Sequence, residues 1–172
     1  MNVLVTYASK HGSTAQIADV IRNDLRMAGF DVTLQPADEV TNIDEYDAVI
    51  LGSAIYVGQW QQAATDLINR FAETLKTKQV WLFSSGPIGD DPFPKEMPPI
   101  TEELIEKTGA VEHQSFLGKL DRSTLGFGER LITTVLRAPE GDFRDWDAIR
   151  AWADYIGRTL RESSVRSAAS TD

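Results

Sequence analysis

Apolar and polar positions follow two rhythms that alternate along the chain. Asn2-Val3-Leu4-Val5-Thr6-Tyr7 is an extended apolar run, after which Ile17, Ala18, Ile21, Leu25 and Ala28 recur at helical spacing. Gly29 is a natural stop for that helix, and Phe30, Val32 and Leu34 alternate on one side of a second strand that Pro36 ends. The acidic stretch Ala37 to Tyr46 reads as an irregular connection with at most one helical turn. Asp47-Ala48-Val49-Ile50-Leu51-Gly52 is a continuous apolar run, as in a strand covered on both faces.

Ala64, Leu67, Ile68, Phe71 and Leu75 mark a helix over Gln61 to Thr74, and Gln79 to Phe83 is a fourth strand. Ser84 to Pro99 carries five of the seven prolines with Gly86, Gly89, Asp90 and Asp91, which predicts a long loop. Thr101 to Lys107 is a short helix with a Thr cap, stopped by Gly109, and Val111 to Leu117 is the last strand. Helical spacing returns over Ser123 to Arg137 and over Asp145 to Leu160, where Trp146 and Trp152 lie on an apolar face and are expected to pack against the sheet. Residues 1–161 form one expected domain, and the Ser- and Ala-rich 162–172 a disordered tail.

This alternation predicts an α/β fold, a doubly wound parallel sheet with right-handed crossovers and helices on both faces. Five strands in the order 2-1-3-4-5 leave a crevice at the carboxyl ends of the first and third strands. Ser9 to Thr14, Ser53 to Trp60 and Ser84 to Asp91 converge there.

In the first loop, Ser9-Lys10-His11-Gly12-Ser13-Thr14, Ser13 is expected to cap the following helix, with Gln16 completing a capping box. Hydroxyls and free backbone amides would then crowd a helix N-terminus, where a phosphate can be held without any Arg. On these six residues alone an ordinary capped turn fits equally well. Neither a P-loop nor a three-glycine dinucleotide fingerprint is present, since the loop has only Gly12. The second loop, Ser53-Ala54-Ile55-Tyr56-Val57-Gly58, offers small residues and an aromatic face on which a planar ring can stack, Tyr56 first and Trp60 second. The third, Ser84-Ser85-Gly86-Pro87-Ile88-Gly89, can present main-chain groups to the polar edge of such a ring.

Composition narrows the partners. A formal net charge of −9 opposes binding to nucleic acid and adhesion to an anionic membrane, and permits a basic protein partner. The absence of Cys excludes disulfides and thiolate chemistry and fits a cytoplasmic setting. No apolar run is long enough to span a bilayer, and no signal peptide is expected. No paired His marks a metal site, and no side chain stands out as a catalytic acid or base.

Ser9, Gly12 and Thr14 match the hydroxyl-rich loop of the flavodoxins, with His11 where many members have Thr. The resemblance covers Asn2 to Leu160. It implies a flavodoxin-like fold, FMN as cofactor, and a cofactor site built from the three loops. The chain also resembles the group that includes the menaquinone-dependent protoporphyrinogen dehydrogenases. That likeness rests on Gly52-Ser53-Ala54-Ile55 to Gly58, on Phe116-Leu117-Gly118 followed by Leu120-Asp121, and on Asp145-Trp146 opening the last helix. Members carry an excursion before that helix, here Lys119 to Arg144, and the likeness implies an oxidoreductase acting on a quinone or reduced tetrapyrrole. The alternative is a soluble, low-potential electron carrier that docks a basic redox protein.

Overall fold

A computed structural model describes residues 1–56, 58–86, 99–121, 123 and 140–169. Strands β1 (Asn2–Ala8), β2 (Asp31–Pro36), β3 (Ala48–Tyr56), β5 (Gln79–Ser85) and β6 (Glu112–Phe116) form a parallel sheet in the order β2-β1-β3-β5-β6. The expected order 2-1-3-4-5 is therefore observed, because the third-to-fourth connection holds an additional short strand, β4 (Gln59–Trp60), paired antiparallel to the end of β3. A separate two-stranded sheet joins β7 (Lys119–Leu120) to β8 (Gly141–Asp142).

Side-chain alternation along β1 divides the core into two layers. Val3 and Val5 point toward α1 (Ser13–Met27) and α4 (Trp146–Ala169), among Ile17, Ile21, Leu25, Trp152 and Ile156. Leu4 points the other way, toward α2 (Gln62–Leu75) and α3 (Pro99–Thr108), among Leu67, Ile68 and Leu104. Both faces of the sheet are thus covered, which the continuous apolar run of β3 requires.

Several expectations change. The connection Ala37 to Tyr46 is irregular as predicted, yet Ala37, Val40, Ile43 and Tyr46 are all buried, every third residue tucking under the acidic surface. β3 runs on through Ser53 to Tyr56, and β5 includes Ser84 and Ser85, so these residues are strand rather than loop. In-register pairing of Ser53 with Ser84 and of Ala54 with Ser85 supplies the ladder that extends both strands. Helix α3 begins at Pro99, a residue suited to a first turn, and Thr101 is buried inside the helix instead of capping it. α4 continues to Ala169 rather than fraying after Leu160. Ser163 and Ser164 each donate to the Leu160 carbonyl at 2.9 Å, and Gln79 Nε2 donates to Ser163 Oγ at 2.7 Å. Apart from Ser123, the helix expected over Ser123 to Arg137 lies outside the described residues, as do residues 170–172 of the tail.

Candidate functional site

At the carboxyl end of β1 the chain turns through Ser9 to Gly12 and enters α1. Gly12 is the residue before the first helical one, with φ of 83°, a left-handed conformation that an L side chain adopts only under strain. No side chain caps the helix. The expected capping box of Ser13 and Gln16 is therefore absent: Gly12 makes the turn, Ser13 is already helical, and Gln16 Oε1 accepts a hydrogen bond from Arg144 Nη1 at 2.6 Å. The first helical hydrogen bond runs from Gln16 N to Gly12 O, so the amides of Ser13, Thr14 and Ala15 precede the ladder.

Three buried hydroxyls in this turn, Ser9 Oγ, Ser13 Oγ and Thr14 Oγ1, have no hydrogen-bond partner among the described residues. Each such group costs about 1–3 kcal/mol when left unsatisfied, and native proteins rarely cluster them. With the free amides and the positive end of the α1 dipole they form a donor set for an anion. An ordinary capped turn does not account for them, because a cap would have consumed the hydroxyls.

The second loop touches both of the others. Lys10 Nζ lies 3.9 Å from the centroid of the Tyr56 ring, which is 37% exposed at the tip of β3. Tyr56 pairs with Gln59 and Ile55 with Trp60, with Gly58 at φ 73° between them. Gly86, at φ 117°, donates its amide to Phe116 O at 3.0 Å, and a Cβ there would lie 3.6 Å from Ile55 O. Lys10, His11 and Gly12 are exposed and face solvent at this end of the sheet.

Some expected ligands turn inward. Ser53 is fully buried, its Oγ accepting from Gln61 N at 2.9 Å and donating to Ala54 O at 3.0 Å, so its hydroxyl holds the start of α2 to β3. Ser84 Oγ lies 3.0 Å from Ser115 Oγ across the β5–β6 pair, and Ser85 is buried. Trp60 is 5% exposed, which removes it as a stacking platform and leaves Tyr56 as the available ring. Val57, Pro87 and Gly89, also expected at the site, lie outside the described residues.

One residue beside the site was not anticipated. Arg144, whose side chain is 3% exposed, donates from Nη1 to Ser13 O at 3.3 Å as well as to Gln16, and its Nε and Nη2 donate to Asp142 Oδ1 and Oδ2 at 2.7 and 2.5 Å. These hydrogen bonds, above all the side-chain pair to Arg144, hold the Asp142 carboxyl below the usual carboxylate range. The sequence signal was faint: an Arg just ahead of the Asp145-Trp146 helix start, 128 residues from Gln16.

A cavity of about 390 Å³ adjoins the loop, lined by Ser9, Pro36, Asp38, Glu39, Gln61 and Gln62 among others. A larger one, of about 740 Å³, lies at the amino ends of the strands. Polar groups around the larger one are spent internally, Lys78 Nζ on the carbonyls of Asp44 and Tyr46 and Gln79 on Ser163, so it has no comparable set of waiting donors. His113, on β6, is partly buried with its ring 6.2 Å from that of Trp60, and burial lowers its pKa to about 4. It is therefore neutral at pH 7. Among the described residues no helix is long and apolar enough to cross a membrane.

The family described as Flavodoxin domain matches residues 4–147. No curated protein matches the chain. Among solved structures, oxidised flavodoxin 2 from Bacillus cereus is 26% identical, with a TM-score of 0.61 over 94% of this chain and 99% of that one. The flavodoxin of Streptococcus pneumonia TIGR4 is 18% identical, with a TM-score of 0.61 over 92% of this chain and 99% of that one. Rubredoxin oxygen:oxidoreductase from the anaerobe Desulfovibrio gigas is 16% identical, with a TM-score of 0.60. There the match takes in 94% of this chain but 36% of the other.

Proposed function

This chain belongs to the flavodoxin domain family, and from that premise we propose that it is an FMN-dependent oxidoreductase acting on a reduced tetrapyrrole with a quinone as acceptor. FMN is the cofactor that family membership implies. The observation that carries the reading is the triad of buried hydroxyls on Ser9, Ser13 and Thr14 that find no partner among the described residues, a donor set that fits a phosphate monoester. Tyr56 offers a partly exposed aromatic ring with Lys10 over it, and Gly86 approaches the preceding Ile55. When bound, FMN supplies the two-electron redox chemistry, and the protein supplies position, exclusion of water and electrostatic setting.

Two features favour the enzymatic reading. The excursion before α4 is closed at its base by the β7–β8 pairing and is tied by Arg144 to the first turn of α1. Asp145 Oδ1 also accepts the Ala148 amide at 2.9 Å, which supports the reading of Asp145-Trp146 as the start of the last helix, one of the features on which the resemblance to the menaquinone-dependent group rests. In each turnover the tetrapyrrole loses two electrons and two protons and the quinone gains them as a quinol.

The test combines a fluorescence titration with FMN and an anaerobic assay of protoporphyrinogen oxidation with a soluble menaquinone analogue. Saturable binding and equimolar quinol formation per two-electron step are expected. A yellow, FMN-saturated protein that oxidises no porphyrinogen overturns the enzymatic reading and leaves the low-potential electron carrier with a basic protein partner, which the net charge of −9 accommodates.

A further inference from the structure

We propose that Arg144 is a positioning residue for the anion-binding turn, acting from behind it on the peptide plane between Ser13 and Thr14. The inference rests on the reading of that turn as a phosphate site. Ser13 O and Thr14 N–H belong to one planar trans peptide unit, so a donor that fixes the carbonyl also fixes the direction of the amide. Arg144 Nη1 is that donor, at 3.3 Å from Ser13 O. Because the carbonyl and the amide of a trans peptide point in opposite directions, the guanidinium sits on the far side from any anion at the Thr14 amide. It is not a ligand to that anion. A cation at the carbonyl also polarises the peptide, which strengthens the N–H as a donor on the other side.

The arrangement is stiff. Asp142 holds the guanidinium through two nearly parallel bonds from Nε and Nη2, a planar fork that a lysine cannot reproduce. The Trp146 ring covers the group, with 4.3 Å between Arg144 Cζ and the ring centroid, and Gln16 Oε1 takes the remaining edge. Asp142 is itself placed by pairing with Lys119 in the β7–β8 sheet, and the next residue, Phe143, donates its amide to Gly118 O at 3.1 Å. Arg144 thereby couples the base of the excursion to the first turn of α1, two parts of the chain that share no strand pairing. Asp142 offsets its charge, which leaves direction rather than net attraction as its contribution.

The experiment compares FMN with riboflavin, which has the same ring and lacks the phosphate, on the full chain and its variants. For Arg144→Gln and Arg144→Lys, FMN affinity is expected to fall about tenfold while riboflavin affinity stays within about twofold of the parent, the size expected for loss of one charge-assisted hydrogen bond. Arg144→Lys retains the charge, so its failure to rescue separates geometry from attraction. Gln16→Ala, at an exposed position, leaves the Asp142 fork intact and provides a variant that folds irrespective of the buried ion pair. An FMN loss of about threefold, again without change toward riboflavin, is expected for it. Equal losses for both ligands would mark Arg144 as a structural residue and overturn the inference, as would unchanged FMN affinity in all three variants. A parent that binds neither FMN nor inorganic phosphate overturns the phosphate-site reading and this inference together.

Discussion

The ring of Phe83 occupies the space in which a side chain on Gly52 would stand. A Cβ on Gly52 would lie 1.9 Å from Phe83 Cζ and within 2.4 Å of both Cε atoms, and the two residues are in register across β3 and β5. That vacancy lets the Phe83 ring extend over Gly52 and meet Phe116 and Trp152 at centroid distances of 6.1 and 6.0 Å. Gly52→Ala is therefore expected to destabilise the fold by about 2–4 kcal/mol through overpacking, measured by urea unfolding. Because the clash is with one ring, the double variant Gly52→Ala/Phe83→Leu should lose clearly less than the sum of the two single losses.

Thr14 is fully buried and its hydroxyl has no partner among the described residues, so removing that hydroxyl is expected to have opposite effects on the free and the loaded protein. Thr14→Val keeps the volume and is expected to stabilise the FMN-free protein by about 1 kcal/mol while weakening FMN binding. Melting temperatures with and without saturating FMN check both signs. A variant that is less stable alone and equally tight for FMN contradicts the assignment of Thr14 as a phosphate ligand.

Ser53 should behave in the reverse way. Its hydroxyl is used twice, on Gln61 N and on Ala54 O, so Ser53→Ala leaves a buried amide at the start of α2 without its acceptor. A loss of about 1–2 kcal/mol of stability is expected, with a smaller effect on FMN affinity than Thr14→Val produces. Chemical unfolding and FMN titration of the same two variants make the comparison.

His113 adds a pH dependence. Its imidazole titrates at about 4 in the folded protein against 6.5 for the free group, because burial disfavours the cation. The unfolded chain therefore takes up a proton that the folded one refuses between these values. This contribution to stability is complete above pH 6.5 and is lost as the pH falls toward 4. On the order of 2 kcal/mol is at stake. His113→Phe should flatten the difference in stability between pH 7 and pH 4.5 by that amount. An unchanged pH profile in the variant would mean that His113 does not titrate differently on folding.

The local patterns were enough for the architecture. The shift from alternating or continuous apolar runs to helical spacing located the main-sheet strands and α1, α2 and the start of α4. With right-handed crossovers, the strand order followed, and with it the crevice at which the site is proposed. Ser9 and Thr14 were legible as a hydroxyl-rich turn because their spacing is local. Three matters were settled only by the packed chain. Whether a hydroxyl is used inside the fold depends on what the tertiary structure brings beside it, which is why Ser53 is spent on the Gln61 amide and the Ala54 carbonyl and Ser84 meets Ser115 across the sheet, while Ser9, Ser13 and Thr14 have no partner among the described residues. The burial of Ala37, Val40, Ile43 and Tyr46 within an acidic connection depends on α2 and β3 closing over it. The bond from Arg144 to Gln16 joins residues 128 positions apart, and no one-dimensional rhythm encodes a distance of that kind; it exists because β7, β8 and α4 bring one guanidinium to the start of α1. Propensity and periodicity act over a few residues, whereas the direction of each polar group is decided by whatever the fold places within about 3 Å of it.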